Sequence, residues 1–225
     1  MSAAPAGAYL RDPYLDWAKA QGVPIVEDFG IDIRKVPVKR WARYGMDGAL
    51  CHLKGRDDWI TIFAFEIPPG GKSERLHHLY EDVVYVISGH GSTTVETVDG
   101  KKHTFEWGPK SLFSVPLNAT YQHFNGSGRE PARFAAANNM PYTMKRFRDE
   151  GFIFDSDVRF PEREGEAKYF TGDGEFIGIR PGRHQWETNF VPDLSAFELI
   201  HWAERGAGGS QLRFMLADNT IGAHS

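Results

Sequence analysis

Residues 70–91, GGKSERLHHLYEDVVYVISGHG, place two imidazoles (His77, His78), a phenol (Tyr80) and two carboxyls (Glu81, Asp82) within six positions. Imidazoles and carboxylates ligate divalent metals and move protons near neutral pH. A second polar group follows at Tyr121, His123 and Asn125. Strand side chains alternate, so His78 and Tyr80 are expected to share a face, as are Tyr121, His123 and Asn125; His77 turns away, toward solvent or a partner. Tyr121 could give its phenolic proton to a substrate oxygen, with Tyr80, Glu81 and Asn125 as substrate contacts. Glu81 beside Asp82 would put two like charges at one mouth and raise one pKa. It can equally be a solvated strand start. Cys51 sits in the apolar run Ala49-Leu50-Cys51 and reads as core filling rather than as a nucleophile. His103, His184, His201 and His224 have no partner at ligand spacing and read as surface or structural.

These residues need a β scaffold, and the chain supplies one. Short runs rich in Val, Ile, Phe, Tyr and Trp occupy 59–67, 83–88, 92–98, 101–107, 112–115 and 132–137, divided by turn signals. Asp99-Gly100 is the strongest hairpin signal and suits a type I′ turn. Pro68-Pro69-Gly70-Gly71 and Gly89-His90-Gly91 mark further tight turns. Asp12 before Pro13, with Gly22 as the stop, predicts a short amphipathic helix over 13–21. A second short helix is expected around 144–150, and 160–183 reads as an irregular connection. Trp107, Phe105 and Phe113 are expected in the barrel core.

One motif occurs twice. Trp41-Ala42-x-x-Gly45-x-x-Gly48 recurs as Trp202-Ala203-x-x-Gly206-x-x-Gly209, and the same register pairs Asp57 with Asp218 and Ile60 with Ile221. The chain reads as one complete β unit followed by the opening strands of another.

The Gly70–Gly91 stretch resembles the first motif of the cupin superfamily: a Gly turn, a His-x-His pair, an acid, then a strand ending in Gly. The second motif resembles Gly108 through Pro116 and Asn118 to Asn125. The resemblance implies a double-stranded β-helix, a jelly-roll barrel with a pocket at its mouth. Together with the repeat, it implies the N-terminal part of a bicupin in a gentisate-dioxygenase-like arrangement. In the gapless register Leu76 takes the first His position, His78 the second, Asp82 the acid position and Tyr121 the motif-two His position. The ordinary three-His-one-acid set is therefore degenerate. His123 could replace the missing imidazole, giving His78, Asp82 and His123 as a two-His-one-carboxylate site for one divalent metal (Fe, Mn, Ni or Zn). The alternative is a metal-free mouth, with His78 bonded to Asp82 and the nearby Tyr80, Tyr121, Gln122 and Asn125 as partners. The functions implied are a metal-dependent oxidoreductase of dioxygenase type acting on a small carboxylate or aromatic acid, a metal-free small-molecule binder, or a structural half. The expected organisation is a helix and arm over 1–30, the barrel over 31–145, a connection over 146–192, and a second, incomplete repeat over 193–225 that packs on the barrel or on a second subunit.

Composition removes several classes. Hydrophobic residues are 41%, charged residues 25%, and the formal charge is -4 with no block of like charges, so no nucleic-acid or anionic-membrane footprint exists. One cysteine rules out an internal disulfide. No apolar run approaches the roughly 20 residues of a membrane-spanning helix, and no secretion signal is read at the N-terminus. Phosphate-loop, serine-elbow and H-E-x-x-H motifs are missing. The expectation is a cytoplasmic homo-oligomer with a small-molecule ligand.

Overall fold

The computed structural model describes residues 11–55, 59–160, 167–180, 183–196, 213–216 and 223–224. Helix α1 (Pro13–Ala20) starts where its cap predicts: the Asp12 carboxylate accepts the Tyr14 and Leu15 N–H groups at 3.0 and 3.1 Å. It buries Tyr14, Trp17 and Ala18. The strands are β1 (Ile25–Asp28), β2 (Lys39–Trp41), β3 (Met46–Leu53), β4 (Thr61–Ile67), β5 (Asp82–Ser88), β6 (Gly91–Glu96), β7 (Lys102–Trp107), β8 (Leu112–Phe113), β9 (Thr120–Asn125) and β10 (Ala132–Asn138). Helices α2 (Met140–Phe147) and α3 (Glu150–Phe154) follow, then β11 (Glu175–Arg180), β12 (Arg183–Thr188), β13 (Phe190–Val191), β14 (Arg213–Leu216) and β15 (Ala223–His224).

The large sheet runs β1-β3-β4-β10-β5-β8-β13, with β2 on β3; the small sheet runs β7-β6-β9. Together they form the expected mostly-β barrel with its N-terminal helix. Aromatic side chains bridge the two sheets. Phe134 of β10 meets Trp107 of β7 and His123 of β9, and Phe113 of β8 meets Phe105 of β7. The repeated Trp–Gly spacing has a steric reason in the first copy: a Cβ on Gly48 would come within 2.7 Å of the Trp41 ring, so only glycine lets the indole lie on β3. The second copy, 202–209, lies outside the described residues. So do His201 and most of the tail proposed to dock.

Three local expectations need correction. The β6–β7 hairpin forms, but Thr97 and Lys101 close a three-residue loop. Gly100 N–H bonds to the Thr97 carbonyl, and Gly100 alone in this loop takes a left-handed φ of 77°. That is a type I turn followed by a left-handed glycine, not a type I′ turn, because Asp99 keeps a negative φ. The helix expected at 144–150 is two helices, α2 and α3, parted at Arg148 in the left-handed region. Finally, 160–183 is not wholly irregular, since β11 pairs with β12.

Residues 190–194 return to the barrel. β13 pairs antiparallel with β8 (Phe190 with Phe113, Val191 with Leu112), and Leu194 packs on Val83, Leu112 and Val191. No helix of the described residues is long and apolar enough to cross a membrane.

Candidate functional site

His78, Tyr80, Asp82 and Tyr121 meet inside the barrel. All four are buried, as is His123. The backbone fixes the state of His78: its Nδ1 lies 2.8 Å from the Tyr80 carbonyl oxygen, which can only accept, so Nδ1 carries the proton. Nε2 is then a bare lone pair, and the Tyr121 hydroxyl donates to it at 2.7 Å. Tyr80 stacks face to face on the His78 ring, with centroids 3.6 Å apart, and its own hydroxyl pairs with that of Tyr44 at 2.9 Å.

Asp82 stands at the first residue of β5, beside this pair but outside its hydrogen bonding. Its Oδ2 is 3.8 Å from His78 Nε2, and its Oδ1 is buried with no hydrogen-bond partner. At 3.8 Å the two could pass for an ion pair, but burial opposes charge on both. Desolvation pushes Asp82 up to about 7 and His78 down to about 3. The imidazole is neutral, as its two hydrogen bonds require. The expected direct His78–Asp82 hydrogen bond is thus replaced by the His78–Tyr121 bond. Burial also raises the Tyr80 and Tyr121 phenols well above their usual range, which keeps them protonated donors.

His123 is turned to a different task. Its Nδ1 is 2.7 Å from Thr93 Oγ1, which also accepts the Trp107 indole N–H at 2.9 Å. Desolvation, with the neighbouring His78 second, lowers its pKa to about 3. β9 alternates as expected, burying Tyr121, His123 and Asn125. Sharing a face does not bring all three to one point, however. Asn125 Nδ2 donates to the carbonyls of Ile67, Pro68 and Glu130, and its Oδ1 accepts the Ser127 N–H, so it clamps loops. Glu81 is half-buried and pairs with Asn139: its N–H bonds to Asn139 Oδ1 and its Oε2 accepts from Asn139 Nδ2. The neighbouring carboxylates therefore diverge, and desolvation rather than Glu81 accounts for the raised Asp82 pKa. His77 is half-buried against Asn118 Oδ1 at 3.1 Å. Cys51 is buried, and desolvation raises its thiol to about 11, as core filling requires.

The proposed metal ligands do not converge as a set. Among the described residues no three His, Cys, Asp or Glu side chains are grouped to hold a metal ion. The His78 lone pair is met by a phenolic proton, and His123 is bonded to Thr93. Only the orphaned Asp82 Oδ1 has the character of a vacant ligand. A three-ligand, protein-held metal does not fit this arrangement.

Three residues outside the sequence motifs complete the cluster: Tyr44 from the β2–β3 turn, Thr93 behind His123, and Phe154 of α3. The Phe154 ring packs on Tyr80 and Trp17, and the Arg43 guanidinium lies over it. Tyr44 follows the repeated Trp41 by three positions, the one signal that could have found it. Thr93 and Phe154 carry none.

No protein-family model and no curated protein matches the chain. Solved structures do match part of it. An oxalate decarboxylase from Lactobacillus farciminis, in a formate complex, is 19% identical over 48% of this chain and 32% of its own, with a TM-score of 0.42. Peruvianin-I, a cysteine peptidase from Thevetia peruviana latex, is 18% identical over 49% of this chain and 71% of its own, with a TM-score of 0.43. A 7S globulin from Momordica charantia is 14% identical over 48% and 33%, with a TM-score of 0.41. The chain thus spans about a third of the length of the decarboxylase and the globulin.

Proposed function

We propose, for a chain that folds as a cupin-type barrel, that the interior is a metal-free binding site for a small polar molecule. The observation that carries this is the pairing of a satisfied histidine with an unsatisfied acid. His78 has both ring nitrogens engaged, whereas Asp82 Oδ1 is buried without a partner. A ligand hydroxyl, amide or ammonium group supplies the missing donor, since leaving that oxygen unpaired costs about 1–3 kcal/mol. Entry requires α3 to yield, because Phe154 packs against Tyr80.

The oxidoreductase reading needs a different arrangement of the same residues. Tyr121 would have to leave Nε2 and His123 would have to leave Thr93 before His78, Asp82 and His123 could share an ion.

The test is metal content by inductively coupled plasma mass spectrometry on untagged protein, after reconstitution with Fe, Mn, Ni and Zn in turn, together with native mass spectrometry for a co-purifying small molecule. Substoichiometric metal that is the same in wild type, His78→Ala and His123→Ala is expected. Near-stoichiometric metal lost in both variants would overturn the proposal and restore the oxidoreductase.

A further inference from the structure

The small sheet has a second face, and it is not blank. Thr93 and Val95 point inward, so Ser92, Thr94 and Glu96 of β6 point out, and the strand register aligns them in three cross-strand rows; Glu106, Ser92 and Phe124 form the row beyond the two that line most of the hollow described next. One row is neutral: Thr104, Thr94 and Gln122, with the Thr94 and Thr104 hydroxyls 2.8 Å apart. The other is Lys102, Glu96 and Thr120. The extended segment before His77 runs along β9, with Leu76 N–H and C=O each bonded to Tyr121 at 2.8 Å, and this sets Arg75 on the rim. The result is a hollow of about 430 Å³ with Phe124 at one end. That volume lies within the range of about 300–1,000 Å³ usual for small-molecule sites.

Its charges leave a surplus. Arg75 reaches Glu96 at 3.0 Å and Lys102 lies 3.8 Å from the same carboxylate, so two cations share one anion. Among the described residues Arg75 makes no other hydrogen bond, which leaves most of its fork of N–H donors unused. Gln122 donates to the Ser73 carbonyl and keeps its side-chain oxygen as an acceptor.

We infer that this hollow binds a small hydroxylated monocarboxylate, of the aldonic or hydroxy-acid class. The carboxylate lies between Arg75 and Lys102, and the ligand hydroxyls lie along the Thr104–Thr94–Gln122 row. A single surplus positive charge matches a monoanion, and Glu96 in the middle opposes a phosphate dianion. The lining is mixed: the charged and hydroxyl groups sit beside apolar surface that includes Phe124, which suits hydroxyls carried on a carbon chain. The site is separate from the barrel interior and does not depend on the function proposed for it.

Isothermal titration calorimetry with gluconate as the probe, and with glucose, acetate and inorganic phosphate beside it, tests the assignment. Gluconate is expected to bind about 10-fold more tightly than glucose or acetate, with Arg75→Gln and Lys102→Gln each weakening it by about 5- to 10-fold, the worth of one charge-assisted bond. Both side chains are more than 60% exposed, so the variants should keep the wild-type melting temperature. Asp82→Asn should bind gluconate as wild type does, which separates this site from the interior. No binding at about 10 mM gluconate, glucose or phosphate binding as tightly, or gluconate affinity unchanged in both charge variants would each overturn the inference.

Discussion

The His78–Asp82 neighbourhood makes a sharp demand on pH. The folded state keeps Asp82 protonated up to about 7, while the unfolded chain loses that proton near 3.8. This carboxyl therefore costs stability progressively as pH rises between those values. The two histidines work in the opposite direction. Folded His78 and His123 stay neutral down to about 3, whereas the unfolded chain protonates them near 6.5, so stability is lost as pH falls below 6.5. Between pH 4.5 and 6 these three groups leave the unfolded state one proton ahead: two on histidine, less one on Asp82. Their joint slope is then on the order of 1.4 kcal/mol per pH unit, with stability rising with pH. Asp82→Asn removes the opposing proton and should roughly double that slope while stabilising the protein near pH 7. Urea unfolding of both proteins across this window reads the difference directly. Parallel curves would show that Asp82 is already ionised in the fold.

Among the elements, α3 matters most to the site although it is only five residues long. Its placement rests on tertiary contacts: Arg43 and the Trp17 indole both bond to Glu150, the Leu79 N–H bonds to the Ile153 carbonyl, and Phe154 stacks on Trp17. Phe154→Ala should cost about 3–5 kcal/mol in chemical denaturation and leave a void above Tyr80. A loss below about 1 kcal/mol would mean that the helix is not seated on the barrel. Gly91 shows a different use of an element. The sequence places it in a turn, but it begins β6, where a Cβ would fall 2.1 Å from the Phe124 carbonyl and 2.4 Å from the Trp107 ring. Gly89, at φ 83°, is the glycine that makes the turn. Two identical residues flanking one histidine thus serve backbone freedom and close approach respectively.

For the whole molecule, the question is how the region beyond the barrel joins it. β13 extends the large sheet, the Ser114 N–H bonds to the Asn189 carbonyl, and Ser111 Oγ donates to the Pro192 carbonyl. Residues 189–194 therefore act as a strap over β8. Val191→Asp buries an unpaired carboxylate between Leu112 and Val83 and should lower stability by about 3–5 kcal/mol, with faster amide exchange at Ser114. Unchanged stability would mean that the strap is not part of the cooperative unit. The described residues contain two parallel pairings, β1 with β3 and β12 with β14.

The barrel was legible because its signals are local. Strand alternation, the Asp12-Pro13 cap and the glycine turns each act within a few residues, and β4 to β7 lie within two or three residues of where they were expected. Alternation also foresaw the burial of Tyr121, His123 and Asn125, since a pleat leaves only two faces. What each buried group bonds to was not legible. Whether His78 meets an acid, a phenol or a metal depends on where Tyr121, 43 residues away, brings its hydroxyl. Whether His123 faces its neighbours or Thr93 depends on the pairing of two strands. Hydrogen bonds have a reach of about 3 Å, while sequence spacing limits position only to a face and a height on the sheet. Composition and pattern decided which polar groups entered the barrel; the packing of sheet, strap and helix decided that Asp82 entered without a partner.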